Sequence, residues 1–333
     1  MSTKFTDRDY LFLSSLLRAR EANMLTGERL EQMLSAGTFA EAAKLLAEAG
    51  WPDLSELDRS GVDAALTERR EAIFAELARL APQSEVVDLF RVRYDYHNAK
   101  TIIKGEGAGV AAGHLISGAG RVERERLEQA FTENDYRFVP SALGHAMQEA
   151  KSILARTGNP QLADFILDRA CYAEMRSAAD ALDCRFAADY VTLLIDGANL
   201  RTGVRCARMQ KDQEFVKSAL ISGGSVSVER LAQSVSAGEG VTGLFASSAY
   251  KDAAALGSEA IKGGRMTEFE LECDNTVNRF LSDARRMSFG PEAVVGYLAA
   301  EENNITAVRM VLTGLLAGID PARLKERLRD SYV

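Results

Sequence analysis

The sequence has few of the residues on which catalytic and disulfide-stabilised proteins usually depend. Its 333 residues include four cysteines, three histidines, six prolines and one tryptophan. No two cysteines form a Cys-x-x-Cys pair, which disfavours a zinc knuckle or a redox dithiol and fits a reduced, cytosolic compartment. His97, His114 and His145 are isolated, and none belongs to a His-Glu-x-x-His motif. Chemistry that depends on histidine or on a metal ion therefore has few candidate residues.

Long hydrophobic runs are also missing. The longest run, residues 293–300, has eight residues, whereas a membrane-spanning helix needs about 20. The first ten residues show no pattern of a cleavable signal. A formal net charge of −8 repels a phosphate backbone, so nucleic acid is not an expected partner. We therefore predict a protein without direct membrane insertion, which reaches a membrane only through another protein.

The remaining composition favours helices. Hydrophobic residues make up 47% of the chain and charged residues 26%, as in ordinary globular proteins. Alanine, leucine, glutamate and arginine are abundant, and all four are good helix formers. At about 100 to 200 residues per domain, the length predicts two or three modules or one large repeat array. The expected fold class is all-α.

Residues 190–208, YVTLLIDGANLRTGVRCAR, fit two different structures. In the first, residues 191–195 form a buried strand that presents Asp196 to a loop as the first metal ligand of a nuclease. In the second, the stretch is a helix whose apolar stripe follows steps of three and four residues: Tyr190, Leu193, Gly197, Leu200, Val204 and Ala207. Because this stripe continues past Ile195 without a change of register, we favour the helix, although Gly197 and Gly203 weaken it.

On the nuclease interpretation, other acids would complete the metal site, namely Asp168, Asp183 and Asp189. On the helix interpretation, these acids and Asp196 face solvent or an interface. A nuclease is also expected to have a basic surface, which the net charge disfavours. The helix interpretation is therefore preferred, and the nuclease remains an alternative.

The apolar stripe recurs twice more, 101 residues earlier and 108 residues later. The earlier copy repeats the polar pattern of the middle copy, with Asp95, Asn98 and Lys100 at the positions of Asp196, Asn199 and Arg201. In the later copy, Glu301 interrupts the stripe, and Asn304 and Ala307 replace the aspartate and asparagine. Each copy is followed by a glycine turn (LISGAG, LISGGS or LLAGID) and then by a charged amphipathic helix. We predict three similar helical units, residues 1–120, 121–223 and 224–333.

Four segments together resemble the C subunit of the prokaryotic V-type/A-type ATPases, which is equivalent to the vacuolar d subunit. They are YDYHNAKTIIKG, residues 190–208, ILDRACYAEM and AVRMVLTGLLAGIDPARLKERLRDSYV. The resemblance implies an all-helical funnel of three similar lobes with pseudo-threefold symmetry. It also implies a non-catalytic rotor subunit, without cofactor or metal, on the cytoplasmic face of the membrane. Its implied partners are the central-stalk subunits and the membrane rotor-ring subunits, which it would couple during ion translocation.

Two further patterns have alternative interpretations. Gly105, Gly107, Gly109 and Gly113 resemble a phosphate loop, but a helix precedes them where a nucleotide site needs a strand, so we predict an ordinary loop. Six basic residues recur at matching places and form either a solvated face with intrahelical ion pairs or a partner interface: Lys100, Lys104, Arg201, Arg205, Arg208 and Arg309. A third function, besides the rotor subunit and the nuclease, is a helical-repeat scaffold with an unrelated partner.

Overall fold

The computed structural model describes residues 5–110 and 113–332, and within them every regular element is a helix. The α-helices are α1 (Leu11–Glu21), α2 (Gly27–Ser35), α3 (Phe39–Glu48), α4 (Arg59–Leu80), α5 (Glu85–Ala108), α6 (Arg124–Glu133), α7 (Ser141–Thr157), α8 (Pro160–Ala181), α9 (Arg185–Arg208), α10 (Gln213–Ala219), α11 (Val228–Ala237), α12 (Lys251–Ile261), α13 (Met266–Ser282), α14 (Pro291–Leu316) and α15 (Pro321–Lys325). Short 3-10 helices span Asp7–Tyr10, Gly113–Leu115, Thr242–Phe245 and Asp283–Arg286. The all-α prediction is confirmed.

Two helices start with a capping side chain that is followed by a proline at the first helical position. The Asn159 side chain accepts a hydrogen bond from the Gln161 N–H at 3.0 Å, and Pro160 is the first residue of α8. The Asp320 side chain accepts from the Ala322 N–H at 2.9 Å at the start of α15. Both caps satisfy a main-chain donor that the first helical turn leaves without a partner.

Contacts divide the chain into two compact units. Unit 1 combines Met1–Val87 with Leu271–Val333, and unit 2 is Asp88–Glu270. The sequence predicted three units, residues 1–120, 121–223 and 224–333. These were defined by repeated sequence patterns, whereas the two units here are defined by contacts between residues. The three units therefore stay a prediction.

In unit 1, α14 is the central helix and packs against α1, α2, α3, α4 and α15. Its predicted stripe is buried, with Ile305, Val308 and Leu312 each fully inaccessible. These residues share one hydrophobic core with side chains from α2 and α3, such as Met33 and Leu46. Within residues 5–110 and 113–332, no helix has the length and the mean hydropathy that a membrane span requires.

In unit 2, α9 takes the same central place and packs against α8, α10, α11 and α12. The predicted stripe is again buried, and Leu200 and Val204 are fully inaccessible. The stripe of α5 is buried as well, from Leu89 to Ile103. The periodicity of the sequence therefore identified correctly a buried face on each of the helices α5, α9 and α14.

Candidate functional site

The stretch that fitted either a strand or a helix lies within α9, which runs without interruption from Arg185 to Arg208. The strand predicted by the nuclease interpretation is therefore wrong. Asp196 lies in the middle of this helix and is 4% exposed. Its role follows from the residues that surround it.

Two asparagines, each three positions after one of the paired aspartates on α5 and α9, hold the turns that precede α6 and α11. The Asn98 side chain donates to the Ser117 C=O at 2.8 Å and accepts from the Ser117 N–H at 2.9 Å. Asn199 donates to the Ile221 C=O at 2.7 Å and accepts from the Ile221 N–H at 2.8 Å. Each amide thus satisfies both main-chain groups of one turn residue, and of these residues Ile221 is buried and Ser117 is partly buried.

The aspartates hold the same turns a few residues further on. Asp95 accepts from the N–H groups of Arg121 and Val122 at 2.8 and 3.1 Å. Asp196 accepts from the Ser225 N–H at 2.8 Å and from the Ser225 hydroxyl at 2.5 Å. We call each Asp-x-x-Asn pair together with its turn a clasp. The first clasp holds residues 117–122 and the second clasp holds residues 221–226.

Glycine is required where each carboxylate meets its turn. A Cβ atom at Gly120 would collide with the Asp95 carboxylate, and a Cβ atom at Gly224 would collide with the Asp196 carboxylate. The glycine turns in LISGAG and LISGGS therefore allow a buried carboxylate to approach the main chain closely. The sequence indicated a helix stop at these glycines but not this contact.

The two clasps differ in charge. Asp95 forms an ion pair with Arg121 at 2.7 Å, and Arg121 also pairs with Glu174 at 2.7 Å. The Tyr96 hydroxyl donates to Glu174 at 2.9 Å. Asp196 instead accepts its hydrogen bonds from Ser225. The first clasp is therefore part of a charged network, whereas the second relies on a hydroxyl and on main-chain groups.

Burial raises the pKa of both aspartates above the ordinary carboxyl value. For Asp95, the Arg121 guanidinium and the N–H donors act in the opposite direction. For Asp196, the Ser225 hydroxyl and the N–H donors do so, and the charge of Arg176 contributes least. Both shifts follow from the cost of a charged group that loses contact with water.

The acids proposed for a nuclease site do not have the surroundings that a metal site requires. The acids were expected to face solvent or an interface, and for Asp196 the first of these is wrong, because it is buried. Asp168 forms an ion pair with Lys100, and Asp189 forms one with Arg185 of its own helix. Asp183 is exposed, with φ of 50°. Within residues 5–110 and 113–332, no three His, Cys, Asp or Glu side chains are placed to hold a metal ion.

The two predicted basic residues on α5 form ion pairs with acids on α8. Lys100 contacts Asp168 at 2.5 Å, and Lys104 contacts Asp164 at 2.7 Å. These ion pairs connect different helices, so the predicted pairing within one helix is wrong here. Because the side chains are partly exposed, each pair contributes at most about 1 kcal/mol.

Two of the other basic residues also pair with a different helix. Arg205 contacts Glu270 of α13 at 2.7 Å in unit 2, and Arg309 contacts Asp63 of α4 at 2.8 Å in unit 1. Arg201 is half-buried next to Gly197. Arg208 is exposed, and within the described residues it takes part in no ion pair. Of the predicted basic residues on α9, the two exposed ones, Arg205 and Arg208, lie in its last turn.

The glycine-rich segment after α5 is shorter than predicted. The helix continues through Gly105 and Gly107 and ends at Ala108, and Gly109 follows with φ of 65°. Gly107 packs against the Leu154 side chain: a Cβ atom at position 107 would lie 3.1 Å from the nearest Leu154 methyl carbon. Residues 111 and 112 of the predicted loop lie outside the described residues. No strand precedes the segment within the described residues, so its context differs from that of a dinucleotide loop.

Glu301 does not interrupt the stripe of α14, because a buried network accommodates it. It is 5% exposed, accepts from the Tyr297 hydroxyl at 3.1 Å and pairs with Arg69 at 3.1 Å. The Arg69 guanidinium lies 3.8 Å above the Trp51 ring. Sequence reasoning missed this network, although an acid within an apolar helix face is itself a sign of a buried partner.

These arrangements define a structural class of protein. The buried polar side chains described above form hydrogen bonds and ion pairs with turns and with neighbouring helices. Within each unit they hold helices and turns in place, as the buried polar groups of a structural protein do.

The comparisons with known proteins agree with this class. The sequence model of the ATP synthase (C/AC39) subunit matches residues 13–327. The V-type sodium ATPase C subunit of Enterococcus hirae is 25% identical over 329 residues, which cover 97% of this chain and 99% of the relative. The A-type ATP synthase C subunit of Methanocaldococcus jannaschii is 20% identical over 343 residues, which cover 96% of this chain and 86% of the relative.

A further relative is the V-type ATP synthase C subunit of Thermus thermophilus, which is 24% identical over 204 residues, 59% of this chain and 63% of the relative. The chain belongs to the ATP synthase (C/AC39) subunit family, and it is a non-catalytic subunit of a V/A-type rotary ATPase. The resemblance found in the sequence is confirmed.

Proposed function

We propose that this chain is the rotor subunit that couples the central stalk to the membrane rotor ring during ion translocation. It acts as a peripheral subunit on the cytoplasmic face of the membrane, and its partners are subunits of the same ATPase. The observation that carries this proposal is the family match over residues 13–327, together with relatives named as the C subunit of V-type and A-type ATPases or ATP synthases.

We further propose that the three similar segments form three lobes around a funnel with pseudo-threefold symmetry. Support comes from the long helices α5, α9 and α14, which repeat one buried stripe. Two of these helices also repeat the clasp, down to its hydrogen-bonded atoms. The third has Ala307 at the asparagine position, and its polar centre is Glu301.

The mechanical role requires stiffness more than chemistry. Torque passes through a subunit only when its helices do not slide and its turns do not open under load. Buried helices such as α9 and α14 resist sliding because their side chains are close-packed. The clasps resist turn opening, because an opened turn would leave a buried carboxylate and a buried amide without partners.

The basic residues Arg205 and Arg208 are the proposed partner surface of α9. Arg208 is exposed, and Arg205 is 57% exposed despite its ion pair with Glu270. Lys100, Lys104, Arg201 and Arg309 belong to the same proposed basic set. Complementary acidic groups on a partner would raise the association rate and fix the orientation of binding.

The proposal is tested by purification of the intact complex from the native membrane. An affinity-tagged full-length chain is extracted in mild detergent, and the co-purifying proteins are identified and quantified. We expect stoichiometric amounts of central-stalk and rotor-ring subunits, which photo-cross-linking from the tagged chain then assigns as direct neighbours. Retention of unrelated proteins alone would support the scaffold alternative and contradict the proposal. The isolated chain is expected to hydrolyse no ATP.

A further inference from the structure

Residues 329–332 follow the last helix and lie against α13 of unit 1, where two asparagines bind the main chain of Asp330. The Asn275 side chain accepts from the Asp330 N–H at 2.9 Å, and the Asn278 side chain donates to the Asp330 C=O at 2.7 Å. Asn275 and Asn278 lie one turn apart on α13 and are 9% and 5% exposed. They therefore bind the main chain of Asp330 through buried groups, independently of its side chain.

The orientation of these amides is fixed by their neighbours. The Asn303 side chain donates to the Asn278 oxygen at 2.6 Å, which leaves the Asn278 NH₂ group directed at Asp330. The Arg329 guanidinium donates to Asp274 at 2.8 Å and contacts the Asn303 oxygen at 3.4 Å. The segment thus contributes one charged side chain to the network that positions its own binding groups.

Tyr332 anchors the other end of the segment. Its side chain is 5% exposed, and its hydroxyl donates to Glu21 of α1 at 3.2 Å. Arg18 holds the same Glu21 carboxylate at 2.6 Å. A Cβ atom at Gly296 would lie 2.8 Å from the Tyr332 hydroxyl, so only glycine leaves enough room for it. Arg285 donates to the Tyr332 C=O at 3.1 Å.

The tyrosine remains a donor over the whole physiological range. Burial, followed by the nearby charge of Glu21, raises the pKa of Tyr332 to about 12. A neutral phenol can therefore donate to Glu21, whose carboxylate also accepts from Arg18.

We propose that α13, α1 and Gly296 form a peptide-binding groove whose ligand in this structure is the chain's own residues 329–332. The groove takes a peptide with a basic residue and, three positions later, a tyrosine. Residues 330 and 331 are exposed, whereas Arg329 and Tyr332 supply the bound side chains. The segment acts as a latch that joins α1 to α13, and a second copy of the same segment competes for the groove. This inference requires no other subunit of the ATPase and goes beyond the proposed rotor role.

The first test measures peptide binding to full-length chains. Tyr332→Ala empties the tyrosine pocket, and the probe is a fluorescein-labelled peptide with the sequence of residues 329–333, followed by fluorescence anisotropy. We expect saturable binding to Tyr332→Ala that is at least about tenfold tighter than binding to the unaltered chain, because there the native tyrosine occupies the pocket. The peptide with alanine in place of tyrosine is expected to lose this binding. Equal titration curves for both chains, or no binding to Tyr332→Ala, would overturn the proposal.

A matched probe separates the groove from the tyrosine pocket alone. The same peptide N-methylated at the position of Asp330 lacks the N–H that donates to the Asn275 side chain, and it is expected to bind Tyr332→Ala about fivefold to tenfold more weakly than the unmodified peptide. Unchanged peptide affinity would show that the Asn275 side chain does not bind the main chain of the peptide, and it would overturn the proposed groove.

The second test keeps the aromatic ring and so does not depend on how Tyr332→Ala folds. Tyr332→Phe removes only the hydrogen bond to Glu21. We expect amide hydrogen exchange to rise about fivefold at Asp330 and in the last turn of α1, and to stay unchanged in α9. Exchange rates that are unchanged in α1 would mean that the segment does not hold that helix, and the latch would be rejected.

Discussion

Asn98 and Asn199 lie 101 residues apart in the sequence and make the same pair of hydrogen bonds. Each side-chain amide donates to the C=O and accepts from the N–H of one turn residue, Ser117 for Asn98 and Ile221 for Asn199. The aspartates three positions earlier hold the same two turns. Internal similarity in this chain therefore extends from the apolar stripe to individual polar atoms.

Asn199→Ala should destabilise the protein by about 2–3 kcal/mol. The substitution leaves the N–H and the C=O of Ile221 buried without partners, and Ile221 is itself 6% exposed. The free energy of unfolding is measured by urea denaturation followed by circular dichroism. Asn98→Ala should give a loss of similar size, because its geometry is the same.

Gln233→Ala is the matched control, because Gln233 is exposed on α11. It should change the free energy of unfolding by less than about 0.5 kcal/mol. If Asn199→Ala cost no more than this control, the amide contacts would contribute nothing to stability.

The clasps show what the sequence could and could not predict. The stripe predicted the helices and aligned Asp95 with Asp196 and Asn98 with Asn199, because local periodicity determines which residues share a helix face. The main-chain groups that these residues bind lie 19 to 29 positions away. A main-chain group has the same chemistry in every residue, so no sequence pattern identifies which turn the side chains bind.

Asp196→Asn should leave the protein at least as stable at pH 7 as the unaltered chain. Burial raises the folded-state pKa of Asp196 above 3.8, so the folded state binds more protons than the unfolded state between pH 3.8 and the raised value. Asp196 therefore adds stability as pH falls through this window and reduces it at neutral pH. The asparagine oxygen still accepts from the Ser225 N–H, and its NH₂ group donates to the Ser225 hydroxyl. Urea titrations across this window should show a flatter pH dependence for the variant.

Asp95→Asn provides the contrast. This variant loses the ion pair with Arg121 and leaves that partly buried guanidinium with Glu174 as its remaining acid. Burial raises the pKa of Asp95 as well, so the loss comes from Arg121, and we expect Asp95→Asn to be less stable than Asp196→Asn by about 1–2 kcal/mol at pH 7. Equal losses for Asp95→Asn and Asp196→Asn would contradict the difference in charge between the two clasps.

Leu200→Asp tests the buried stripe of α9 directly. Leu200 is fully inaccessible, so a charge there must be buried without a partner, at a cost of about 3–5 kcal/mol. Thermal unfolding should show a large decrease in melting temperature. Leu115→Asp is the control, since Leu115 is 57% exposed, and it should leave the melting temperature nearly unchanged. Similar melting temperatures for both variants would show that the stripe was assigned to the wrong face.

Glu301 shows the opposite limit of sequence reasoning. Its charge predicted a break in the stripe of α14, yet it is buried because Arg69 and the Tyr297 hydroxyl provide compensating contacts. Arg69 comes from α4, more than 200 positions away in the sequence. Hydropathy patterns count a charge as exposed, and only the tertiary structure shows that a partner lies opposite it.

Two glycines of α9 should respond differently to alanine. A Cβ atom at Gly197 would collide with the Tyr250 hydroxyl, which donates to the Leu193 C=O at 3.0 Å and is held in a fully buried ring. Gly197→Ala should therefore cost about 1–3 kcal/mol. A Cβ atom at Gly203 would lie 3.4 Å from Leu231, which is an ordinary contact, so Gly203→Ala should be neutral or stabilise by up to about 1 kcal/mol. The order of the two free energies of unfolding is the test, and the reverse order would contradict the packing around these two glycines.

Reversal of charge at the end of α9 tests the proposed partner surface. The double variant Arg205→Glu and Arg208→Glu should reduce recovery of partner subunits with the tagged chain by about tenfold at low salt, with less effect at high salt. Its melting temperature should change little, because the ion pair of Arg205 with Glu270 is largely exposed.

The control is Lys262→Glu with Arg265→Glu, which reverses two basic charges that are equally exposed in unit 2 and lie outside the proposed set. Both double variants change the net charge by the same amount, so a general electrostatic effect would lower recovery of the partners equally in the two cases. Specific loss in the Arg205 and Arg208 variant, with retained melting temperature, would assign these arginines to an interface. Equal recovery of partners for both variants would instead mean that the arginines are a solvated helix end, because an interface charge that is reversed must weaken binding.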